Sequence, residues 1–133
     1  LLEVNSETDF VARNQAFRDF VRNIAMHVAA TNPLSVRAED VPADTVERER
    51  AVLTAKAREE GKKEEMLGKI IDGQIKKWLA QNVLLEQQYI KNPDITVGDY
   101  LKETIASIGE NIVIRRFVRF ELGEGIEKKQ EDF

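Results

Sequence analysis

The chain has 133 residues, 42% of them hydrophobic and 33% charged, a composition that suits one soluble domain rich in amphipathic helices. The net charge of −4 provides no general attraction to nucleic acid or anionic membrane, and the absence of cysteine excludes disulfides, thiolate metal sites and a cysteine nucleophile. No apolar run approaches the roughly 20 residues of a membrane-spanning helix, and no signal-peptide pattern is present. We therefore expect no direct binding to nucleic acid or membrane.

The first two predicted elements are a strand and a helix. Residues 1–5 alternate between apolar and polar side chains, which predicts a short half-buried strand. From Asn14 onward the apolar residues recur at helical spacing, and Asn32-Pro33 ends that helix. The apolar stripe consists of Phe17, Phe20, Val21, Ile24, Ala25 and Val28. Residues 34–41 are polar and predict a connection.

Residues 42–82 predict a helical hairpin. The first helix opens near Pro42, with Asp44 as its cap, and ends at Gly61. The second runs from about residue 63 to residue 81. Because the apolar stripes are narrow and the outer faces are dense in charge, we predict two antiparallel helices that project from the domain as a coiled-coil-like hairpin.

The remaining residues predict a further helix and a long strand. Residues 83–94 show no period and predict an irregular segment. Thr96 and Asp99 have the spacing of a capping box, so a helix is expected from there to about Ile108. Residues 111–122 alternate strongly and predict a strand that pairs with residues 1–5. One face of it would carry Ile112, Ile114, Arg116, Val118, Phe120 and Leu122, and the other Val113, Arg115, Phe117, Arg119 and Glu121. With the helices on one side of the sheet, this is a two-layer α+β domain.

The sequence gives little support for catalysis. The single histidine, His27, lies beside the apolar stripe of the first helix and is interpreted as a packing or hydrogen-bonded residue. No cluster has zinc-site spacing, and no phosphate-binding glycine loop is present. Gly68 and Gly73 fall inside a helix pattern and are interpreted as close-packing positions. We predict no catalytic residue, metal or cofactor.

The most informative segment is residues 3–14, EVNSETDFVARN. A strand-like run leads into Asn, Ser and Thr, which close turns with their own side chains, and then into Asp9-Phe10. An aromatic residue at such a turn has two interpretations. Phe10 either folds back onto the next helix as a hydrophobic staple or stays exposed as an anchor for a partner's pocket.

Four segments in this order resemble the elongation factor Ts family. The first is residues 3–12, the second is IAMHVAA at 24–30 with Asn32-Pro33, and the third is GENIVIRR at 109–116. The fourth, FELGEGIEK at residues 120–128, is similar to the last strand and tail of that family. Together they span the chain from end to end. The single TDFVA segment resembles the short family form with one copy of the core.

The resemblance implies a guanine-nucleotide exchange factor for elongation factor Tu in translation elongation, and therefore no enzyme. In that family the Asp-Phe pair enters the GTPase domain of the partner beside its Mg²⁺ site and loosens Mg²⁺ and then GDP. The positions that match the partner-binding motif are Asp9 and Phe10 as the inserted pair, Asn5, Thr8, Val11 and Asn14 as residues that shape and flank it, and Arg13 as a rim contact. The implied location is the bacterial cytoplasm or the interior of a plastid or mitochondrion.

The resemblance also implies a core domain cut from a longer protein. The chain opens without Met inside a predicted strand, and family members carry an N-terminal helical module before it and a C-terminal tail after it. We expect both to be absent here. A core with one copy of the motif implies that a second subunit completes it, so a homodimer is a further expectation.

Two alternatives remain open. The chain could be a structural, dimerisation or ribosome-associated domain without effect on nucleotide. It could also be an acid–base enzyme that uses Glu7 and Asp9, although carboxylates at an exposed tip lie in bulk water with little to perturb their pKa.

Overall fold

A computed structural model describes residues 1–125 and shows the predicted α+β fold. Residues 126–133, which carry the end of the tail-like segment, lie outside the described residues. The elements in chain order are β1 (Leu2–Ser6), α1 (Asp9–Ala12), α2 (Gln15–Thr31), α3 (Ala43–Glu59), α4 (Glu64–Asn82), β2 (Gln88–Tyr89), β3 (Asn92–Thr96), α5 (Val97–Ile108) and β4 (Ile112–Phe117). Short 3-10 turns at Ala38–Asp40 and Leu84–Glu86 flank the two long middle helices.

The first and last strands pair antiparallel, as the sequence predicted. Val4 lies opposite Ile114 and Ser6 opposite Ile112, and both isoleucines are almost completely buried. Between Glu3 and Val4 the register shifts, because Arg115 on β4 has no direct partner on β1. This bulge reverses the alternation of the strand beyond it.

The predicted faces of the last strand are therefore wrong beyond the bulge. Phe117, which lies opposite Leu2, packs against the same core as Ile114, whereas Arg116 is exposed. The strand also ends at Phe117 and not at residue 122. Backbone pairing with the start of the chain extends only one residue further, to Val118. There the terminal amino group of Leu1 donates to the Val118 carbonyl oxygen, and the Val118 amide donates to the Leu1 carbonyl oxygen, both at 2.8 Å.

The main core joins α2 and α5 to the β1–β4 sheet. The capping box predicted for α5 is confirmed, and α2 has a side-chain cap that was not predicted from the sequence. Asn14 accepts a hydrogen bond from the Ala16 amide at 2.7 Å at the start of α2, and Thr96 and Asp99 form the capping box of α5. The buried members of this core are Val11, Phe17, Phe20, Ile24, Val28, Val36, Leu84, Tyr89, Val97, Ile112 and Ile114.

The predicted hairpin is confirmed as α3 and α4. Gly61, at φ +78°, lets the chain turn after α3, where the amides of Gly61 and Lys62 bond back to Arg58 and Ala57. The hairpin has its own small core of Ala57, Leu67, Ile71 and Ile75. The prediction that Gly68 and Gly73 are close-packing positions is wrong, because a Cβ atom at either would have no packing neighbour within 4 Å. Asp44 was wrongly predicted as the cap. Pro42 occupies the cap position, so Asp44 already lies in the first helical turn, where its carboxylate faces the helix dipole.

Residues 83–94 are more ordered than the sequence predicted. Val83 and Leu84 are fully buried, and β2 and β3 form a second antiparallel pair that leads into α5. The helix can approach this segment closely because residue 98 is glycine. A Cβ atom there would lie 2.9 Å from the Leu85 carbonyl oxygen.

His27 is a buried hydrogen-bonded residue, as predicted. Its Nε2 lies 2.9 Å from Oε1 of Gln87, and its Nδ1 accepts a hydrogen bond from the Ile90 amide at 3.3 Å. Gln87 also accepts from the Thr31 hydroxyl and donates to the Gln81 carbonyl oxygen. Burial lowers the pKa of His27 below its usual value and so favours the neutral ring at pH 7. The network connects α2, the end of α4 and the β2 segment.

Candidate functional site

The segment from Asn5 to Asn14 forms a short projecting turn, which we call the tip. β1 ends at Ser6, whose hydroxyl donates to the Thr8 carbonyl oxygen at 2.9 Å. Thr8 is extended (φ −133°, ψ 156°), and α1 follows it as a single helical turn. That turn is closed by hydrogen bonds from the amides of Arg13 and Asn14 to the carbonyl oxygens of Phe10 and Val11.

Phe10 points away from the domain. Its side chain is 79% exposed, so the interpretation of Phe10 as a hydrophobic staple is wrong. The neighbouring Asp9 is also exposed, whereas Val11 is buried in the main core. One helical turn thus divides the motif into an acidic–aromatic pair that faces solvent and an aliphatic anchor that faces the core.

The polar residues of the motif mostly hold the tip in place. Asn14 caps α2 and so fixes the exit of the tip. Asn5 donates to the carboxylate of Glu3 at 3.1 Å on the entry side. The Thr8 hydroxyl lies 3.0 Å from both carboxylate oxygens of Glu110, a residue that the sequence did not identify. The side chain of Arg13, just after α1, is exposed.

The entry strand is also fixed by charge. Glu3 forms ion pairs with Arg115 and Arg116, each at 3.1 Å. The hydrogen bond from Arg115, with that from Asn5, lowers the pKa of the Glu3 carboxyl, which is ionised at neutral pH. Because Arg115 is the bulge residue, this contact holds the bulged strand against β1.

The surface of the tip presents an exposed carboxylate and an exposed aromatic ring to solvent. Within residues 1–125, no group of three or more His, Cys, Asp or Glu side chains is placed to hold a metal ion. A cleft of about 480 Å³ is present elsewhere, between the end of α4 and residues 86–88, and is lined by Thr31, Lys77, Ala80, Gln81, Glu86, Gln87 and Gln88. In the part of the chain that the structure describes, no helix is both long and apolar enough to cross a membrane.

Fold and tip together define a small α+β domain with an exposed aromatic–acidic pair on a single helical turn. Comparison with known proteins narrows this class. The family model "Elongation factor TS" matches residues 18–124, which begin just after the tip. The chain belongs to the elongation factor Ts family.

Alignments with individual relatives extend over the tip as well. The chain is 57% identical to elongation factor Ts of Alkaliphilus metalliredigens and 62% identical to that of Geobacter metallireducens, over all 133 of its residues. It is 59% identical over 124 residues, 93% of the chain, to the protein from Desulfosudis oleivorans. The chain spans 62% of the length of the first two relatives and 63% of the third.

Proposed function

We propose that this chain forms the part of an elongation factor Ts that promotes GDP release from elongation factor Tu, by presenting Asp9 and Phe10 to the GTPase domain beside its Mg²⁺ site. The observation that supports this most directly is the 79% exposure of Phe10 on a turn whose other end is buried. Exposed aromatic side chains on rigid supports are typical anchors in a partner's pocket. The role of the chain is to bind a protein, and it catalyses no bond chemistry.

The physical basis of exchange is linkage between two ligands of one protein. An exchange factor binds its nucleotide-free partner more tightly than the GDP-bound form. Its binding must then weaken the affinity of the partner for GDP by the same ratio. Coupling of this sign requires groups that occupy or deform the nucleotide site. The Asp9 carboxylate can compete for donors near Mg²⁺ or repel the phosphates, and the Phe10 ring can part packed helices. Both side chains are exposed, as this role requires.

The other motif residues serve this pair in different ways. Val11 and Asn14 anchor the turn in the core and at the start of α2, and Asn5 and Thr8 fix its entry. Arg13 is exposed next to the turn and makes a rim contact with the partner. We place the protein in the bacterial cytoplasm or the interior of an organelle of bacterial descent, without direct contact to nucleic acid or membrane.

The experiment is release of mantGDP from elongation factor Tu, followed by stopped-flow fluorescence with the 133-residue chain and its variants. Phe10→Ala removes an exposed anchor worth about 2 kcal/mol, so the acceleration should fall about 30-fold at subsaturating concentration. The melting temperature should be unchanged, because the ring contributes little to the core. Unchanged acceleration by a folded Phe10→Ala chain would refute the proposed role of the tip.

Phe120→Ala is the matched control, because Phe120 is an equally exposed ring, at 77%. It should leave GDP release unchanged. The same variant tests a second candidate function, self-association through the apolar patch of Leu1, Val118, Phe120 and Leu122, which are 48% to 101% exposed. If two chains bind through this patch, sedimentation velocity will show Phe120→Ala shifted toward monomer and Phe10→Ala unshifted.

A further inference from the structure

One long-range contact connects the tip to the opposite end of the chain. The hydroxyl of Thr8 lies 3.0 Å from Oε1 and 3.0 Å from Oε2 of Glu110, although the residues are 102 positions apart in the sequence. A hydroxyl that donates to a carboxylate forms a charge-assisted hydrogen bond, roughly twice as strong as one between neutral groups. We call this pair the latch.

The latch continues the register of the sheet beyond the last paired strand residues. Ser6 lies opposite Ile112 in the β1–β4 ladder. In an antiparallel pair, two steps forward on one strand face two steps back on the other, which puts Thr8 opposite Glu110 on the same face. A side-chain hydrogen bond thus takes the place of the backbone ladder where the two strands separate.

Glu110 is itself held on both sides. It directly follows Gly109, which ends α5 at φ +83° with its amide bonded to the Ile105 carbonyl oxygen at 2.8 Å. Two residues later β4 begins with the buried Ile112. The backbone of Glu110 is therefore held between two ordered elements, and Glu110 is less exposed than Thr8.

The Thr8 hydroxyl makes this contact and does not form the usual hydrogen bond of a helix cap. Thr8 occupies the cap position of α1, where a threonine hydroxyl ordinarily accepts from an amide of the first helical turn. In the structure its side chain makes no such cap bond. The Thr8 side chain is thus engaged from outside the segment, by the residue that lies between α5 and β4.

We propose that Glu110 is a positioning residue of the tip, which holds Thr8 and through it fixes the direction in which Asp9 and Phe10 point. Its importance for GDP release rests on the proposed function, but its effect on the tip does not. A free Thr8 would let the single turn of α1 rotate about its junction with β1. The exposed pair would then have to be ordered during binding, at a cost in affinity.

The primary test is amide hydrogen exchange of residues 8–12 by mass spectrometry or NMR on the 133-residue chain. Glu110→Ala should accelerate exchange there about tenfold, and Glu110→Gln, which keeps a neutral acceptor, should have a smaller effect. Thr8→Val, which keeps the shape and removes the hydroxyl, should match Glu110→Ala. Thr8→Ser should behave like the parent chain.

The matched control is Glu103→Gln, which removes the same charge from an exposed position on α5. It should leave exchange at the tip unchanged. Combining Thr8→Val with Glu110→Ala should add little to either single change, since both break the same contact. Additive effects, or unchanged exchange in a Glu110→Ala chain with the parent melting temperature, would overturn the inference.

GDP release measured on the same variants separates this inference from the proposed function. Faster hydrogen exchange at the tip together with slower GDP release supports both. Faster hydrogen exchange with unchanged GDP release still supports the latch, and it counts against the role of the tip in nucleotide release.

Discussion

The tip and the hairpin are supported by two different kinds of core. The eleven buried residues of the main core come from α1, α2 and nearly every later element outside the hairpin, including β4 at the far end of the chain. The four buried residues of the hairpin core come from two helices that follow each other directly. The contacts beneath the tip are thus long-range, and those of the hairpin are local.

This difference indicates which changes each region can tolerate. Val11 anchors the tip among residues that are brought together only when the whole domain folds. The packing of the hairpin depends only on the register between α3 and α4. Two ion pairs between these helices are consistent with that register. Arg50 binds Asp72 at 2.7 Å and Arg58 binds Glu64 at 3.0 Å, and both pairs fit one antiparallel register. We therefore expect changes in the main core to reach the tip and changes in the hairpin to stay local.

The largest effect is expected from Phe20→Ala. Phe20 is fully buried and packs edge-on against Tyr100, with ring centroids 4.9 Å apart. Removing a buried phenylalanine costs about 3–5 kcal/mol, through lost transfer energy and the cavity left behind. Urea unfolding should show this loss, and hydrogen exchange should accelerate in α2, α5 and the tip together. Acceleration confined to α2 would contradict a shared core.

The matched change in the hairpin is Ile71→Ala, at a residue 2% exposed. The narrow core of the hairpin is able to collapse around the cavity. We therefore expect the free energy of unfolding to fall by about 2 kcal/mol, near the lower end of the range for Ile→Ala changes in a core. Hydrogen exchange should accelerate along α3 and α4 and stay unchanged at residues 8–12. Faster exchange at the tip in this variant would show that the two cores act as one.

Most of the fold could be predicted from the sequence because its signals are local. The helical stripe of α2, the capping box of α5 and Gly61 each act within a few residues of their position. The pairing of the end strands and the hydrogen-bonded character of His27 were also predicted correctly.

The errors concern features that depend on distant partners. The bulge at Arg115 is invisible in an alternating pattern, because an extra residue shows only against the opposite strand. The β2 strand is too short to show an alternating pattern in the sequence. The exposure of Phe10 was not an error, but the local sequence left both interpretations open, because exposure depends on the direction of α1. Glu110 could have been found by extending the register of the end strands, had that register been known.

A smaller effect, on the main core alone, is expected from pH. Burial lowers the pKa of His27, so below its ordinary value of about 6.5 the unfolded chain binds a proton that the folded chain does not. The stability that depends on neutral His27 is therefore fully present above pH 6.5. It is lost as the pH falls toward the pKa of His27 in the folded chain.

The measurement is urea unfolding between pH 5 and pH 8, compared with His27→Gln. The glutamine variant can keep one hydrogen bond to Gln87 and should be less stable by about 1 kcal/mol at pH 7.5. Its stability should depend less on pH than that of the parent chain below pH 6.5. Parallel pH profiles for the two chains would show that His27 carries none of this dependence.

The smallest effect at the tip is expected from shortening the hairpin, although this removes the most residues. Deleting residues 53–59 and 63–69 takes seven residues, about two helical turns, from each arm of the hairpin and keeps residues 60–62 of the turn. Because equal lengths are removed, the register of Arg50 and Asp72 is preserved. The contacts of Gln87 with Gln81 and of Leu34 with Asn82, which join the hairpin to the domain, are also retained.

Circular dichroism of this variant should show fewer helical residues, with hydrogen exchange at residues 8–12 and GDP release both unchanged. Deleting residues 53–59 alone is the control, since it breaks the register and should melt the hairpin. If the tip remains protected in the shortened chain and in this control, the local core of the hairpin is independent of the long-range core that holds Val11. If exchange at the tip rises in the shortened chain, the hairpin supports the tip through its base, and the contrast between local and long-range support fails.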